Sequence, residues 1–415
     1  MATVLLIIIY MIFISLGLPD SMLGSSFPAI ADNIKAPIQF TSYISPITSI
    51  CTILSSLCAP FLIKRFKEQY VISFSIMLTA IGLLIFSFAR ENTLYLLFIS
   101  AVPLGLGAGA IDASINNYVA LHYKAIHMNW LHCCWGVGAS ISPMIIGAFI
   151  DPNNNSKGWN IGILTVSIIQ FVIMFISFIS VPLWNRMKVK EEKKEEKKED
   201  YKYVKLFKNP VFYLTVLAFF CYCGLETTMG LWTGSYLNYG KGFDTAQAAS
   251  LSSFFFIGIT VGRFISGPLS LKIKENNMIR IGEIFISISM LFMIISSVYQ
   301  EEYTKSLALA SIVICGLGCA PIYPAIIRLT PYRFSKAGSQ KAMSLEVAIA
   351  YIGNLISPFI FGEIAKAINN YLILPYIIIT FLSVMILCHE IINIRLKKRD
   401  SILNDEDKKK YLAEV

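Results

Sequence analysis

Three carboxylates stand where carboxylates are expensive. Asp20 (in SLGLPDSMLGSSFP), Asp112 (in GAIDASINNYV) and Glu226 (in GLETTMG) each lie near the middle of a long apolar run. A charge in a bilayer costs about 2.5–3.5 kcal/mol on insertion scales, so chains that keep one tend to set it in a protein-lined cavity. A carboxyl removed from water holds a proton more readily, because its charged form loses solvation. Such a group can load a proton on one side of a membrane and release it on the other. The competing reading is a structural carboxyl, bonded to a neighbouring helix or paired with Arg263.

Other residues extend this chemistry. Asp112 and Asn116 are four apart and share a helix face. A carboxylate with an amide one turn away can grip adjacent hydroxyls of a sugar-like solute. With further oxygens the same pair can hold Na⁺. His132 and Trp135 are three apart and also share a face. An indole ring can stack on the apolar face of a sugar while the imidazole supplies a hydrogen bond; plain packing is the alternative. Trp130, Trp232, Tyr236 and Tyr351 either widen such a cavity or pack and anchor helices. Arg263 and Glu346 are expected to pair and seal a gate, unless each snorkels or finds its own partner.

The elements that must position these residues follow from composition. Of 415 residues, 55% are hydrophobic and only 15% charged, against about 25% charged in a soluble domain. With a mean hydropathy of +0.63, this reads as a polytopic membrane protein. The formal charge of +9 sits in short loops and at helix ends, so it is a topology signal rather than a nucleic-acid footprint. The nine cysteines all lie in apolar segments. Cys315 and Cys319 have helical spacing without a His or Cys cluster beside them, so packing is expected rather than metal or redox chemistry. No cofactor is implied. The N-terminus has no Lys or Arg before its long apolar run and is expected to be a spanning helix rather than a cleaved signal.

Twelve spans of about 20 apolar residues are predicted at 4–30, 41–63, 70–89, 93–120, 128–150 and 159–184, then 210–238, 246–271, 277–298, 304–329, 341–364 and 371–394. Residues 185–209 are a charged linker with no apolar face, expected to be a solvated tether. The division is therefore 1–184, a six-helix bundle; 185–209, the linker; 210–396, a second six-helix bundle; and 397–415, a tail. Of the 35 Lys and Arg, 28 fall on the linker side and six on the other. This bias puts the linker and both termini in the cytoplasm.

The halves repeat. DSMLG at 20–24 is echoed by ETTMG at 226–230, GLG at 105–107 by GLG at 316–318, and GASISPMIIG at 138–147 by GNLISPFIFG at 353–362. The offsets are 206, 211 and 215. Six plus six helices with a central connector is the plan of a secondary transporter, with its site at midplane between the halves. Glycines 105, 107 and 109 are too dense for an ordinary helix. They read as packing and rocking surfaces; no Gly-Lys-Ser/Thr follows to make a phosphate loop.

This architecture resembles the major facilitator superfamily, although APFLIKRFKEQ degrades its usual signature between helices two and three. Within it the chain looks most like the fucose-permease branch of sugar–cation symporters. The acid of the first helix (Asp20), the acid and Asn of the fourth (GAIDASINNYV), NWLHCCWGVGA in the fifth and the Tyr-Pro of CAPIYPAII carry the likeness. In that branch the acids serve proton coupling and substrate binding, and polar residues of the fifth helix and the Tyr of the tenth line the sugar site. By this resemblance Asn129, His132 and Trp135, with Tyr323, are substrate-binding. Here Asp112 replaces a Glu, Asn117 a Pro, His132 a Gln and Trp135 an Asn, and Glu226 is not part of the fucose pattern; the particular sugar stays open.

The expected fold is thus all-α, twelve transmembrane helices in two pseudo-symmetric bundles. The expected protein is no enzyme but a monomeric carrier in a bacterial plasma membrane, moving a small, sugar-like polar solute with a proton or sodium ion. Asp20, Asp112 and Glu226 are the coupling candidates. The competing function is a proton-coupled efflux antiporter, since Gly138, Pro143 and Gly147 partly match the antiporter signature of the fifth helix. Asp112 has Tyr323 as its counterpart at the 211 offset. An aspartate facing a tyrosine across the pseudo-twofold is the asymmetry a binding site needs.

Overall fold

The computed structural model describes residues 2–123, 125–186, 203–299 and 302–402. Most of the expected linker falls on 187–202, outside the described residues; its end carries a short helix, Tyr203–Phe207. Among the described residues, twelve helices are long and apolar enough to cross a bilayer. Spans 1 to 6 are Thr3–Ile34, Phe40–Ala59, Glu68–Ser87, Tyr95–Asn116, Trp130–Phe149 and Trp159–Trp184. Spans 7 to 12 are Pro210–Gly240, Thr245–Leu269, Glu275–Val298, Tyr303–Phe334, Leu345–Ile368 and Tyr371–Ser401. Among the described residues there is no strand, only an isolated bridge between Asp151 and Lys157.

Local chemistry sets several helix ends. Span 7 starts at Pro210, whose missing N–H costs nothing in a first turn, and the Asn209 side chain accepts from the Val211 amide. Asp244 caps span 8 by accepting from the Gln247 amide at 2.8 Å. Elsewhere the helices outrun the expected limits. Helix continues through Ile322–Ile368, so the connection between spans 10 and 11 is itself helical. Hydropathy marks where a chain leaves the bilayer, not where its backbone stops being helical, and this connection holds the helix formers Lys336, Ala337, Gln340, Lys341, Ala342 and Met343.

The repeat is visible as packing. The close approach of Gly105 to the Thr48 carbonyl of span 2 is mirrored by Gly316 on the Phe255 carbonyl of span 8. Gly107 lies on Ser75 of span 3 as Gly318 lies on Gly282 of span 9. Gly138 lies on Ile14 of span 1 as Gly353 lies on Phe220 of span 7. Lipid supplies no hydrophobic drive between helices, so their association rests on contacts of this closeness. Large apolar side chains such as Leu57, Phe61 and Ile179 stand exposed on the outside, as a lipid solvent requires.

Between the halves, the face opposite the linker is sealed. Gly24 of span 1 abuts the backbone of Gly230 and Leu231 in span 7. Tyr43 of span 2 donates its hydroxyl to Glu363 of span 11 at 2.8 Å. The Ser156 hydroxyl bonds Asp32 at 2.5 Å and lies 2.8 Å from the Thr245 hydroxyl. At the centre the halves part around a cavity of about 690 Å³, which runs from mid-span to Ser270, Glu275 and Arg328 at the linker-side ends of spans 8 to 10.

Candidate functional site

Two helix breaks shape this cavity. Span 1 is two helices, Ala2–Asp20 and Met22–Ile34, with Pro19 just before the break. Span 10 pauses at Ala320 and Pro321 before resuming at Ile322. Proline removes a donor and crowds the preceding turn. Irregular backbone within a membrane is tolerated where it lines a cavity. The breaks place Asp20 and Tyr323, one from each half, on the cavity wall.

Most of the candidate residues meet there. Asp20, Asp112, Asn116, His132 and Trp135 line the cavity from the first half, and Glu226, Arg263, Tyr323 and Tyr351 from the second. Asn116 donates its amide to Asp112 Oδ1 at 2.8 Å, so the pair shares one face as its spacing predicts. The Asn116 carbonyl oxygen is buried without a hydrogen-bond partner. His132 sits edge-on to Phe13, with ring centres 5.6 Å apart. Tyr323 packs on Phe219 at 5.0 Å. The side chain of Asn129 lies outside the described residues.

Trp135 is more engaged than its spacing suggests. Its indole N–H donates to Asp20 Oδ2 at 2.7 Å. The Arg263 guanidinium lies over its ring, 5.1 Å from the centre. Arg263 also faces Glu226 Oε1 at 3.6 Å. Asp20, Trp135, Arg263 and Glu226 thus form a continuous chain from span 1 through spans 5 and 8 to span 7. The expected gating pair of Arg263 and Glu346 is not formed. Glu346 is fully buried, accepts from the Thr330 hydroxyl at 2.6 Å and has Arg333 as its nearby positive charge. A buried charge takes the opposite charge its own packing layer offers. For Arg263 that is Glu226, across the cavity wall; Glu346 belongs to the layer of spans 10 and 11.

Three of the four additional aromatics lie away from the cavity lining. Trp232 is buried, donates to the Pro358 carbonyl and packs on Phe361 and Tyr371. Tyr236 is buried against Ser297, and Trp130 is exposed beside Phe264. Only Tyr351 reaches the cavity. The structure adds a wall of hydroxyls from span 2, namely Ser45, Thr48, Ser49 and Thr52. Their spacing of three, one and three is a helical stripe, a legible signal that draws no notice beside the carboxylates. It also adds Asn354, which accepts from the Thr227 hydroxyl at 2.7 Å.

Comparison with known proteins agrees with this architecture. A glucose/mannose transporter of Bacillus subtilis is 25% identical over 361 residues, covering 85% of this chain and 84% of that protein. A sodium-dependent glucose transporter of Xenopus laevis is 20% identical, covering 86% of this chain and 75% of its own length. Among solved structures, a D-xylose–proton symporter superposes with a TM-score of 0.75 at 14% identity, covering 94% of this chain and 96% of its own. A bacterial homologue of the human lysosomal transporter Spinster, inward-facing and unoccupied, gives 0.73 at 13% identity, covering 95% and 97%. The profile of the Major Facilitator Superfamily matches residues 9–358, so with its twelve spans, its internal repeat and its central cavity the chain belongs to that superfamily.

Proposed function

We propose that this protein is a secondary active transporter that takes up a sugar, coupled to protons, by alternating access. It is a carrier rather than an enzyme. The observation that carries the reading is the central cavity: closed on the face opposite the linker, and walled by Asp20, Asp112, Asn116, His132 and Tyr323 beside the hydroxyls of span 2. Convergent donors and acceptors with an aromatic ring suit a polyhydroxylated ring, and the names of the relatives support the same class. The two bundles, 1–184 and 210–396, rock about this site, with the linker and both termini in the cytoplasm of a bacterial cell. On that orientation the cavity faces inward.

Asp20 and Asp112 are the proton carriers. Each is held by a neutral donor, the Trp135 N–H and the Asn116 amide. Such donors serve both protonation states, because a protonated carboxyl keeps a carbonyl oxygen to accept with. Glu226 already has a cation beside it in Arg263 and is the weaker candidate. The test is uptake into proteoliposomes from a panel of D-glucose, D-mannose, D-galactose, D-xylose and L-fucose, with an internal pH-sensitive dye. Asp112→Asn should keep exchange and lose uphill accumulation together with sugar-induced acidification. Uphill uptake by that variant would refute its role.

One observation favours a second coupling ion. The unpartnered Asn116 carbonyl and the neighbouring Asp112 carboxylate supply oxygens of the kind Na⁺ prefers. Sodium coupling predicts that replacing Na⁺ by choline abolishes accumulation; proton coupling predicts no change.

A further inference from the structure

The chain from Asp20 to Glu226 has a property the proposed function does not use. Its central link is a ring face. In this linker-open form the Arg263 guanidinium covers the Trp135 indole at 5.1 Å, while the indole N–H is committed to Asp20 at 2.7 Å. The platform offered to a sugar is therefore occupied by a cation belonging to the other half of the protein. The second grip of Arg263, on Glu226, is loose: 3.6 Å, against the 2.7–2.9 Å of a close charge-assisted hydrogen bond. Both side chains are partly open to the cavity, 17% and 18% exposed, so the guanidinium has room to move.

We infer that Arg263 is an internal competitor for the sugar platform, and that its displacement from Trp135 onto Glu226 tells the second half that the site is filled. The inference rests on the reading of the cavity as the sugar pathway. A sugar presents an apolar C–H face that stacks on indole as well as hydroxyls that bond the surrounding polar groups. Arg263 offers the indole only a cation–π contact, worth little where water still reaches. An arriving sugar takes the ring face, and the freed guanidinium closes on Glu226 into a short, bidentate pair. Span 8 is thereby drawn to span 7, and the tie between halves through Trp135 is released. When the sugar leaves, Arg263 returns to the indole. Occupancy of a site built mainly from the first half becomes a change in packing of the second, which alternating access requires of a differential contact.

The substitutions separate competition from ordinary binding. Arg263→Gln removes the competitor and the messenger together. It should bind sugar about two- to fivefold more tightly, the factor an exposed cation–π contact corresponds to. It should also lose uphill accumulation while keeping exchange. Arg263→Gln/Glu226→Gln removes the carboxylate that the single variant leaves unneutralised, so it guards against misfolding and should show the same tightened binding. Arg263→Lys retains a cation but cannot form the bidentate pair, so it should retain only part of the accumulation. Binding is read by equilibrium dialysis with the panel sugar that the wild type takes up best, and accumulation and counterflow in proteoliposomes. Weaker sugar binding by both Gln variants would overturn the inference and make Arg263 an ordinary sugar ligand. Wild-type accumulation by Arg263→Gln would overturn it as well. Failure of the wild type to transport any panel sugar would overturn the sugar platform itself, a result distinguishable from either.

Discussion

The hydrogen bond from Tyr43 to Glu363 allows the closed face to be tested quantitatively. It joins span 2 to span 11 at 2.8 Å, donor hydroxyl to carboxylate acceptor. A hydrogen bond to a charged group contributes about 1.5–3 kcal/mol when shielded. Both residues are only half-buried here, so water replaces much of it and about 1 kcal/mol remains. That contribution exists only while the face is closed, so Tyr43→Phe shifts the equilibrium between the two facing states by about fivefold toward the state open on that face. The shift is measurable by double electron–electron resonance between spin labels at positions 157 and 305, which lie on that face in opposite halves, in a background lacking the nine native cysteines. Tyr43→Phe should enlarge the longer-distance population, Glu363→Gln should do so to a lesser degree, and the double variant should exceed neither by much, since one contact is being removed. An unchanged distance distribution in Tyr43→Phe, or full additivity of the two substitutions, would refute the reasoning.

Two further expectations follow from packing and charge. A methyl group built at Gly105 would meet the Thr48 carbonyl at 2.3 Å, so Gly105→Val forces spans 2 and 4 apart and should destabilise the detergent-solubilised protein by about 1–3 kcal/mol. Gly316→Val, at the repeat-related contact with Phe255, should cost a similar amount, and a difference well outside that range between the two would count against equivalence of the halves. Lys241, just beyond span 7, is buried and donates to the Ser296 carbonyl at 2.5 Å and to Thr304 at 3.2 Å. Burial, helped by nearby Lys305, lowers its pKa below the ordinary lysine value. The unfolded chain then binds more protons than the folded one between the two values, so this site costs stability below the lowered pKa and ceases to do so as pH rises to about 10.5. The melting temperature of wild type relative to Lys241→Met should therefore climb with pH across that window; a flat or falling difference would contradict it.

Much of the architecture was legible because the bilayer imposes simple rules. Spans must be long and apolar, and basic residues gather on one side. The repeated landmarks at 105–107 and 316–318, and at 138–147 and 353–362, correspond to repeated backbone contacts, because only small residues permit that closeness. The carboxylates Asp20 and Asp112 were legible for the same reason: a costly group in an apolar run needs a hydrated wall to stand on. The helical connection between spans 10 and 11 was not, since hydropathy is silent once the chain has left the lipid. Packing, one of the two readings of Trp232 open from the sequence, is the one the fold realises.

The amino-acid order alone determined what had to exist: twelve spans, two related halves, and midspan carboxylates with polar neighbours at helical spacing. Partnership was decided only by the tertiary structure. Arg263 and Glu346 are the two charges a one-dimensional reading joins, because both lie in the second half and on the same side. Folding instead brings Arg263 to Glu226 and Trp135 and leaves Glu346 with Thr330 and Arg333. The reason is geometric. Spacing along a helix states which residues share a face, but which faces meet across a cavity depends on how separate helices tilt and cross, and ion pairs act over a few ångströms.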